Sequence, residues 1–599
     1  MLRLGLVFVL LAGLATRAHG QSMIITADEA LHAPTPARVA AILAAAQRDG
    51  WSPQAAGLRG VALRAYQRGN LSAADAWFHV YQWASLFGET EAEFVPKWVA
   101  AINAAKVGHA NMPTSVPARD TPLSANLSPA LQQWLLTTPA FSEAFFSTLA
   151  PVDYLPRVFQ ILDVLYAENP ARFQRYANLA LAIAVVYDVP PPPFWPHGQV
   201  TVQALPRKLP APTTAFDWWT KRDQQGLTYH ALARLPADEL KFMVDAAAPF
   251  SELEWAQQMV DLPLRELSRA YSMVHYRMDR VKNNQPIWTG PTYRLTDILT
   301  NGGICADQAY FATEVGKALG VPTLLFVGAG NDGRHAWFGY LDPAGQWRLD
   351  AGRYAEQRYV TGIARDPQTW RELSDHELQF LAERFHTTTA WRQSQIHAEF
   401  AVDLLAAGNA PAAVKAARAA VNFEPRNQGA WETLFNATRE ATPDAKAAEV
   451  VLREAALAFQ RYADLEAMYV TRVAESLRTR GQTSEAAAEI QRIAHKNQHS
   501  RVDISVQQAR EVVLNAIRTE PIDQQIRIYT QTVDSLGRSA GIAFYDQVVT
   551  LFVAHLLQLH HRAEALHALD HARATLDVRP DSQLETEFNR LQQVIEKSR

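Results

Sequence analysis

Residues 302–352 read GGICADQAYFATEVGKALGVPTLLFVGAGNDGRHAWFGYLDPAGQWRLDAG, and this stretch decides the fold of the central part of the chain. Apolar residues recur at helical spacing after Cys305 until Gly320 ends the run, which predicts a helix that begins at the cysteine. Three short apolar and β-branched runs follow, separated by turns at NDG and DPAGQ. The pattern therefore predicts a helix followed by a meander of three antiparallel strands.

Cys305 is the only cysteine in 599 residues, and it lies at the start of the predicted helix. Unpaired amide groups at a helix N-terminus carry partial positive charge, which favours a thiolate over a thiol. The glycine pair before the cysteine lets the backbone turn tightly and leaves the sulfur accessible. A lone cysteine is more often a small buried hydrophobe, so this position alone leaves both interpretations open.

His335 and Asp350 lie on the second and third predicted strands. If Leu341 and Gln346 flank the second turn, Trp337 lies opposite Asp350, and His335 is on the same face. The backbones of His335 and Asp350 are then roughly 7–8 Å apart, which leaves their side chains within hydrogen-bonding reach. A one-residue bulge in the turn would break this parity, so the pairing depends on a regular hairpin.

The order of cysteine, histidine and aspartate can support a thiol catalytic triad. Three segments, GGICADQAYFATEVGKALGVPT, GRHAWFGYL and GQWRLDAG, resemble the transglutaminase-like superfamily of papain-like cysteine enzymes, over about Ala247 to Gly362. The resemblance implies a central α+β domain with an antiparallel sheet. It also implies that Cys305 is the nucleophile, His335 the general base and acid, and Asp350 the acid that orients the ring.

The resemblance further implies an enzyme that transfers acyl groups from protein or peptide amides through a thioester on the cysteine. Water as acceptor gives a protease or amidase, an amine gives a protein cross-link, and nothing in the triad chooses between them. The family also uses a donor upstream of the cysteine for the oxyanion, for which Trp288 and Tyr293 are the candidates. No metal or organic cofactor is implied. The alternative that stays open is a non-catalytic scaffold whose central domain only binds peptide.

The chain begins with one arginine near its start, Arg3, then an apolar run and small residues before Gln21, which is typical of a secretory signal peptide. We therefore expect an exported protein, periplasmic or extracellular, with an uncleaved anchor as the alternative. No later run approaches the ~20 apolar residues of a membrane helix, so no span is expected in the mature protein. The chain is 48% hydrophobic and 20% charged, with a net charge of −4. It has no basic block, which disfavours nucleic acid as a partner.

The length of the chain predicts several domains, most of them helical. We expect an N-terminal helical region over residues 24–112, a second over 127–188, a proline-rich extended linker over 189–219, a transglutaminase-like domain over 220–395, and C-terminal helical repeats over 396–599. Helix–turn–helix patterns on both sides resemble tetratricopeptide repeats, whose concave faces often hold other proteins. Two histidine pairs, His495/His499 and His567/His571, are spaced by four residues without a third ligand, and we expect solvated side chains there.

Overall fold

The computed structural model describes residues 25–105, 118–354 and 360–598, so the predicted signal peptide lies outside the described residues. The described chain is mostly helical, and its strands form one small antiparallel sheet. The N-terminal part contains α1 (Pro36–Asp49), α2 (Trp51–Gln67), α3 (Leu71–Gly88), α4 (Glu91–Ala105), α5 (Pro129–Thr137), α6 (Pro139–Thr148), α7 (Leu155–Glu168), α8 (Pro170–Arg175) and α9 (Ala177–Val186).

The central part holds seven further helices and five strands among the described residues. The helices are α10 (Pro212–Gln224), α11 (Ala237–Val244), α12 (Phe250–Met259), α13 (Ala270–Met273), α14 (Met278–Lys282), α15 (Leu295–Asn301) and α16 (Cys305–Ala318). The strands are β1 (Thr323–Ala329), β2 (Arg334–Leu341), β3 (Trp347–Ala351), β4 (Ile363–Arg365) and β5 (Glu372–Ser374).

The C-terminal part is helical to the end of the described chain. Its helices are α17 (Asp375–Leu381), α18 (Thr389–Ala406), α19 (Ala410–Phe423), α20 (Gln428–Ala441), α21 (Ala445–Ala458), α22 (Ala463–Thr479), α23 (Thr483–Asn497), α24 (Val502–Thr519), α25 (Ile522–Leu536), α26 (Gly541–Phe544), α27 (Thr550–Gln558), α28 (Arg562–Thr575) and α29 (Gln583–Lys597). One π-turn, Tyr545–Val549, joins α26 to α27. Short 3₁₀ turns lie at Glu29–Leu31, Leu123–Asn126, Leu232–Arg234, Leu264–Arg269, Arg384–Thr387 and Gly537–Ser539.

The predicted helix and meander are confirmed, because α16 begins at Cys305 and β1, β2 and β3 follow it in antiparallel order. The complete sheet has the order β3-β2-β1-β4-β5. Gly316 lets α16 approach the sheet closely, since a Cβ there would lie 2.4 Å from the methyl group of Thr323. Strands β4 and β5 were not predicted, because three residues are too few to show an alternating pattern.

The segment predicted as an extended proline-rich linker is only partly extended. Helix α10 begins at Pro212, so Trp218 and Trp219 are helical rather than part of an arm. Proline fits the first position of a helix, because the N–H that it lacks would have no helical partner there. The remainder packs across its neighbours, with Trp195 buried and its ring edge-on to that of Trp370 at 6.1 Å.

Apolar packing does not separate the N-terminal helices from the sheet. One continuous cluster of buried side chains extends from Ala30 to Phe400 and includes both. A second cluster extends from Phe380 to Ile490, and a third from Val506 to Ile595. The sheet therefore rests on a core that the N-terminal helices complete, while the C-terminal helices build cores of their own.

The last helices return to the turn between β1 and β2. The backbone N–H of Leu584 donates to the carbonyl of Asp332 at 3.0 Å. Arg334 at the start of β2 pairs with Asp546 at 2.6 Å and with Glu587 at 3.1 Å. These contacts fix the end of β2 that carries His335.

One helical run among the described residues, Gly541–Gln558, is long and apolar enough to cross a membrane by length and composition, with a mean hydropathy of 1.2. Half of it is buried against the protein. Phe552, Val553 and Leu556 belong to the third apolar cluster. A core helix of a globular protein has these same properties.

Candidate active site around Cys305

Cys305 is the first residue of α16 and is half-buried. The turn before it is held by the carboxylate of Asp307, which accepts the backbone N–H of Ile304 at 2.8 Å. Gly303 is required in this turn, because a Cβ there would lie 2.3 Å from the Cβ of Asp307. The local sequence therefore places the thiol at the helix N-terminus, as predicted.

Backbone N–H groups of Ala336, Ala306 and Cys305 itself lie near the sulfur of Cys305, and each lowers the pKa of the thiol. Burial acts in the opposite direction and is the largest effect, so the pKa of Cys305 is raised above its usual range. The charge of Asp307 adds to the rise. The predicted preference for a thiolate is therefore corrected: desolvation of a charged sulfur outweighs the helix amides, and the thiol is the resting form.

His335 lies on β2 with its side chain buried, beside the residue whose N–H reaches the sulfur. Its Nε2 lies 2.8 Å from the carbonyl oxygen of Gly352. The ring stacks on Tyr354 with centroids 4.3 Å apart and meets Tyr271 edge-on at 6.3 Å. A carbonyl only accepts hydrogen bonds, so Nε2 carries the proton and Nδ1 is the basic nitrogen of the neutral ring.

The register between β2 and β3 differs from the prediction. Leu341 pairs with Trp347 rather than with Gln346. A bulge follows, since the pairing shifts between Phe338 and Tyr340 of β2. Phe338 pairs with Ala351, whereas the regular hairpin would place it opposite Leu349, so the two one-residue shifts add up to two residues along β3. The regular hairpin on which the predicted triad depended is therefore absent from this part of the sheet.

The shifted register separates Asp350 from His335. The side chain of Asp350 is exposed, between the buried Leu349 and Ala351. Among the residues that the structure describes, no hydrogen bond or ion pair joins Asp350 to His335. The carbonyl of Gly352, two residues further along, holds the ring instead. The structure thus brings together the cysteine and the strand of the histidine, but it does not bring the aspartate to them.

The two oxyanion candidates hold the scaffold behind the site. Trp288 donates its indole N–H to the carbonyl of Thr292 at 2.9 Å. Tyr293 donates its hydroxyl to the buried carboxylate of Asp307 at 2.8 Å, and Arg280 pairs with the same carboxylate at 2.7 Å. The indole N–H of Trp288 and the hydroxyl of Tyr293 are therefore already hydrogen-bonded to acceptors of the scaffold. The prediction that either serves as the oxyanion donor is therefore corrected.

Tyr276 is a better-placed donor that the sequence reasoning missed. It forms an isolated β-bridge with Gly303, and Gly303 donates its N–H to the carbonyl of His275 at 2.8 Å. Burial chiefly raises the pKa of Tyr276, and the charge of Cys305 adds to the rise, which places the phenol near the sulfur. In the described part of the chain its hydroxyl makes no hydrogen bond. No periodicity in residues 270–278 marks this tyrosine, so only the fold identifies it.

Tyr271, on α13, supports the histidine and its carbonyl partner. Its hydroxyl donates to the backbone carbonyl of Ala336 at 2.8 Å. Its ring lies against Gly352, where a Cβ would be 2.6 Å from the ring. Tyr271 therefore fixes both the strand segment at the sulfur and the carbonyl that holds His335.

Comparison of the chain with protein-family models and with curated proteins finds no match. The function is therefore inferred from the residues around Cys305 and from the resemblance of its three sequence segments.

Proposed function

We propose that the protein is a thiol-dependent acyl-transfer enzyme that acts on protein or peptide amides. One observation carries the proposal: Cys305 starts α16, and the N–H beside His335 on β2 reaches its sulfur. A single cysteine held at a helix N-terminus against a strand that carries a buried histidine is the arrangement that thiol catalysis needs. The resemblance to the transglutaminase-like superfamily supplies the substrate class.

The proposed reaction begins with a neutral thiol. As the sulfur of Cys305 attacks the amide carbonyl carbon, its proton passes to Nδ1 of His335. The imidazolium then gives this proton to the leaving nitrogen, the C–N bond breaks, and a thioester remains on the sulfur. Water or a primary amine attacks the thioester next and loses a proton to His335. The sulfur leaves and recovers that proton, so atoms and charges balance over the cycle.

The N-terminus of α16 stabilises the negative charge that develops on the carbonyl oxygen. The backbone N–H groups of Cys305 and Ala306 lie near the sulfur, so the oxygen of a carbonyl attacked by the sulfur lies within their reach. We assign the hydroxyl of Tyr276 as the third donor, because it lies near the sulfur and donates no hydrogen bond to another described residue. These donors supply stabilisation that increases as negative charge forms on the oxygen.

The carbonyl of Gly352 takes the orienting role that we predicted for Asp350. It accepts a hydrogen bond from Nε2 and so fixes the tautomer of His335 in which Nδ1 is the basic nitrogen. A carbonyl carries only partial negative charge, so it stabilises an imidazolium less than a carboxylate does. The weaker stabilisation of the imidazolium agrees with a resting state in which Cys305 is a thiol and His335 is neutral.

The remaining parts of the proposal follow from sequence. The signal-peptide pattern of residues 1–20 supports export to the periplasm or the outside of the cell. The paired helices on both sides of the sheet, such as α2 with α3 and α18 with α19, support docking of a protein substrate or partner. Hydrolysis and amine transfer share the thioester and remain the two routes of this one enzyme.

The test is the pH dependence of alkylation by iodoacetamide. The chain has one cysteine, so every alkylated thiol is that of Cys305. Removing the base in His335→Ala should slow labelling of Cys305 at pH 7 by about tenfold or more, while the difference narrows as hydroxide ionises the thiol at higher pH. The matched control is His230→Ala, because the His230 ring, like that of His335, contacts a backbone carbonyl. This carbonyl belongs to Leu341 on β2 and lies 3.1 Å from Nε2 of His230. Equal labelling rates of wild type and His335→Ala at pH 7 would contradict the mechanism.

Turnover is measured separately with blocked glutamine peptides and a fluorescent primary amine. Released ammonia without amine incorporation indicates an amidase, and incorporation indicates a cross-linking enzyme. Cys305→Ser should abolish both products. Product formation by Cys305→Ser at the rate of wild type would contradict the proposal.

A non-catalytic peptide-binding scaffold is the second candidate, and two observations favour it. Burial keeps the thiol of Cys305 protonated, and Asp350 lies away from His335. On this candidate, Cys305→Ser and wild type bind the same blocked peptides equally and neither releases product. Detection of a thioester formed on Cys305 from a peptide amide would support the enzyme over the scaffold.

A further inference from the structure

A second cluster of chemically active side chains lies between the N-terminal and C-terminal helices. Asp75 and His79 are four residues apart on α3, and Glu399 lies on α18. One ligand atom from each lies within 4.8 Å of the other two. Residues four apart on a helix face the same direction, so a third ligand from a facing helix completes a compact set.

His79 has a polar side chain that its surroundings leave unsatisfied. Its side chain is only 8% exposed, and Nε2 lies 3.7 Å from the nearer oxygen of Asp75, too far for a hydrogen bond. Nδ1 is buried and has no hydrogen-bond partner. A buried imidazole is normally paired at one nitrogen at least, because an unpaired buried polar group costs free energy. A cation bound at Nε2, which lies on the side of the Asp75 carboxylate, would give the ring one partner.

Three carboxylates and one guanidinium lie at the cluster among the described residues. Asp75 and Glu399 both lie in it, and the carboxylate of Glu143 is close enough to interact with Glu399. The positive group that contacts the cluster is Arg392, whose guanidinium lies 3.4 Å from Asp75 and is mostly exposed. A divalent cation would offset this excess of negative charge.

We propose that Asp75, His79 and Glu399 bind a divalent transition-metal cation of the zinc class, which joins α3 to α18. One imidazole nitrogen with two carboxylate oxygens is a ligand set that suits Zn²⁺, with water in the remaining position. Calcium and magnesium prefer sets made of oxygen only. The cation links parts of the chain separated by more than 300 residues, so its binding stabilises the contact between them.

Helices α3 and α18 already meet at fixed positions beyond the cluster. The hydroxyl of Tyr81 on α3 donates to Asp403 on α18 at 3.2 Å, and the ring centroids of Phe78 and Phe400 lie 4.7 Å apart. The three ligands are therefore held in place before the cation arrives. Pre-organised ligands lose little conformational entropy on binding, which favours tight binding.

The test is Zn²⁺ binding to the chelator-treated, full-length protein, measured by competition with a chromophoric chelator. Cys305→Ser serves as the parent so that the thiol is not a ligand. We expect one tight equivalent, with at least a hundredfold weaker binding in His79→Ala and in Glu399→Gln. The midpoint of thermal unfolding should rise with Zn²⁺ in the parent but not in His79→Ala or Glu399→Gln. Excess Ca²⁺ or Mg²⁺ should not displace the zinc.

A matched control and the conservative variant Glu399→Gln make the outcome decisive. His571→Ala is the matched control, because His571 also faces a carboxylate, that of Asp534 at 2.8 Å, but on exposed helices. It should bind zinc as the parent does. Glu399→Gln keeps the size of the side chain and removes one charge, so it gives a result even if His79→Ala does not fold. Absence of a tight equivalent in the parent, or its retention in Glu399→Gln, would overturn the proposal.

Discussion

Gly352→Ala tests the arrangement that holds His335. Gly352 has a φ of +91°, and its carbonyl accepts from Nε2 of His335 at 2.8 Å. A Cβ at this position would lie 2.6–2.7 Å from three atoms of the Tyr271 ring. The ring cannot retreat freely, because its hydroxyl is bound to the carbonyl of Ala336. Alanine must therefore displace either Tyr271 or the carbonyl that orients the histidine.

The expected cost has two parts. A non-glycine residue at positive φ costs about 1–2 kcal/mol, and overpacking against a fixed ring costs about 1–3 kcal/mol. The free energy of unfolding should therefore fall by about 2–5 kcal/mol. Gly345→Ala isolates the first part, because Gly345 has a φ of +71° and its Cβ would meet nothing within 4 Å. It should lower stability by only about 1–2 kcal/mol.

The assay is urea-induced unfolding followed by circular dichroism, with equal denaturant slopes required for comparison. In the background of Tyr271→Ala the ring is gone, so Gly352→Ala should then cost no more than Gly345→Ala does. Iodoacetamide labelling of Cys305 at pH 7 should slow in Gly352→Ala and stay unchanged in Gly345→Ala. Equal costs of Gly352→Ala in both backgrounds would refute the clash with Tyr271 as the reason for glycine.

Three further predictions concern side chains around the site. Burial raises the pKa of Glu314 to about 7, above its unfolded value of about 4.3, so its contribution to stability falls as pH rises across that window. The free energy of unfolding of Glu314→Gln, relative to that of wild type, should therefore rise by about 3 kcal/mol between pH 5 and 8. A difference in thermal midpoint that stays constant over this range would contradict this. Tyr271→Phe leaves the carbonyl of Ala336 without its donor, and chemical unfolding should show a loss of about 1–2 kcal/mol together with slower alkylation of Cys305. Tyr293→Phe removes a donor from Asp307 and should lower stability by about 1–3 kcal/mol, with kcat falling far less than in Tyr276→Phe if Tyr293 only supports the fold.

Local signals in the sequence were enough for α16 and the first three strands. The helix begins at Cys305 and ends before Gly320, whose φ is +70°, and the NDG and DPAGQ turns separate the strands. Such signals act over a few residues, so they can be identified without knowing what the segment packs against. For the same reason the helix–turn–helix pairs of the flanks were visible in the sequence, whereas the membership of Ala30 and Phe400 in one core was not.

The sequence by itself determined where the thiol lies, at a helix N-terminus ahead of a strand that carries His335. Tertiary structure alone decided what surrounds it. The bulge in β3 moved Asp350 to the surface and brought the carbonyl of Gly352 to the ring. Burial raised the pKa of Cys305 against the helix amides. Each outcome depends on pairing register or on desolvation, which are set by segments far apart in the chain, so no local pattern could contain it.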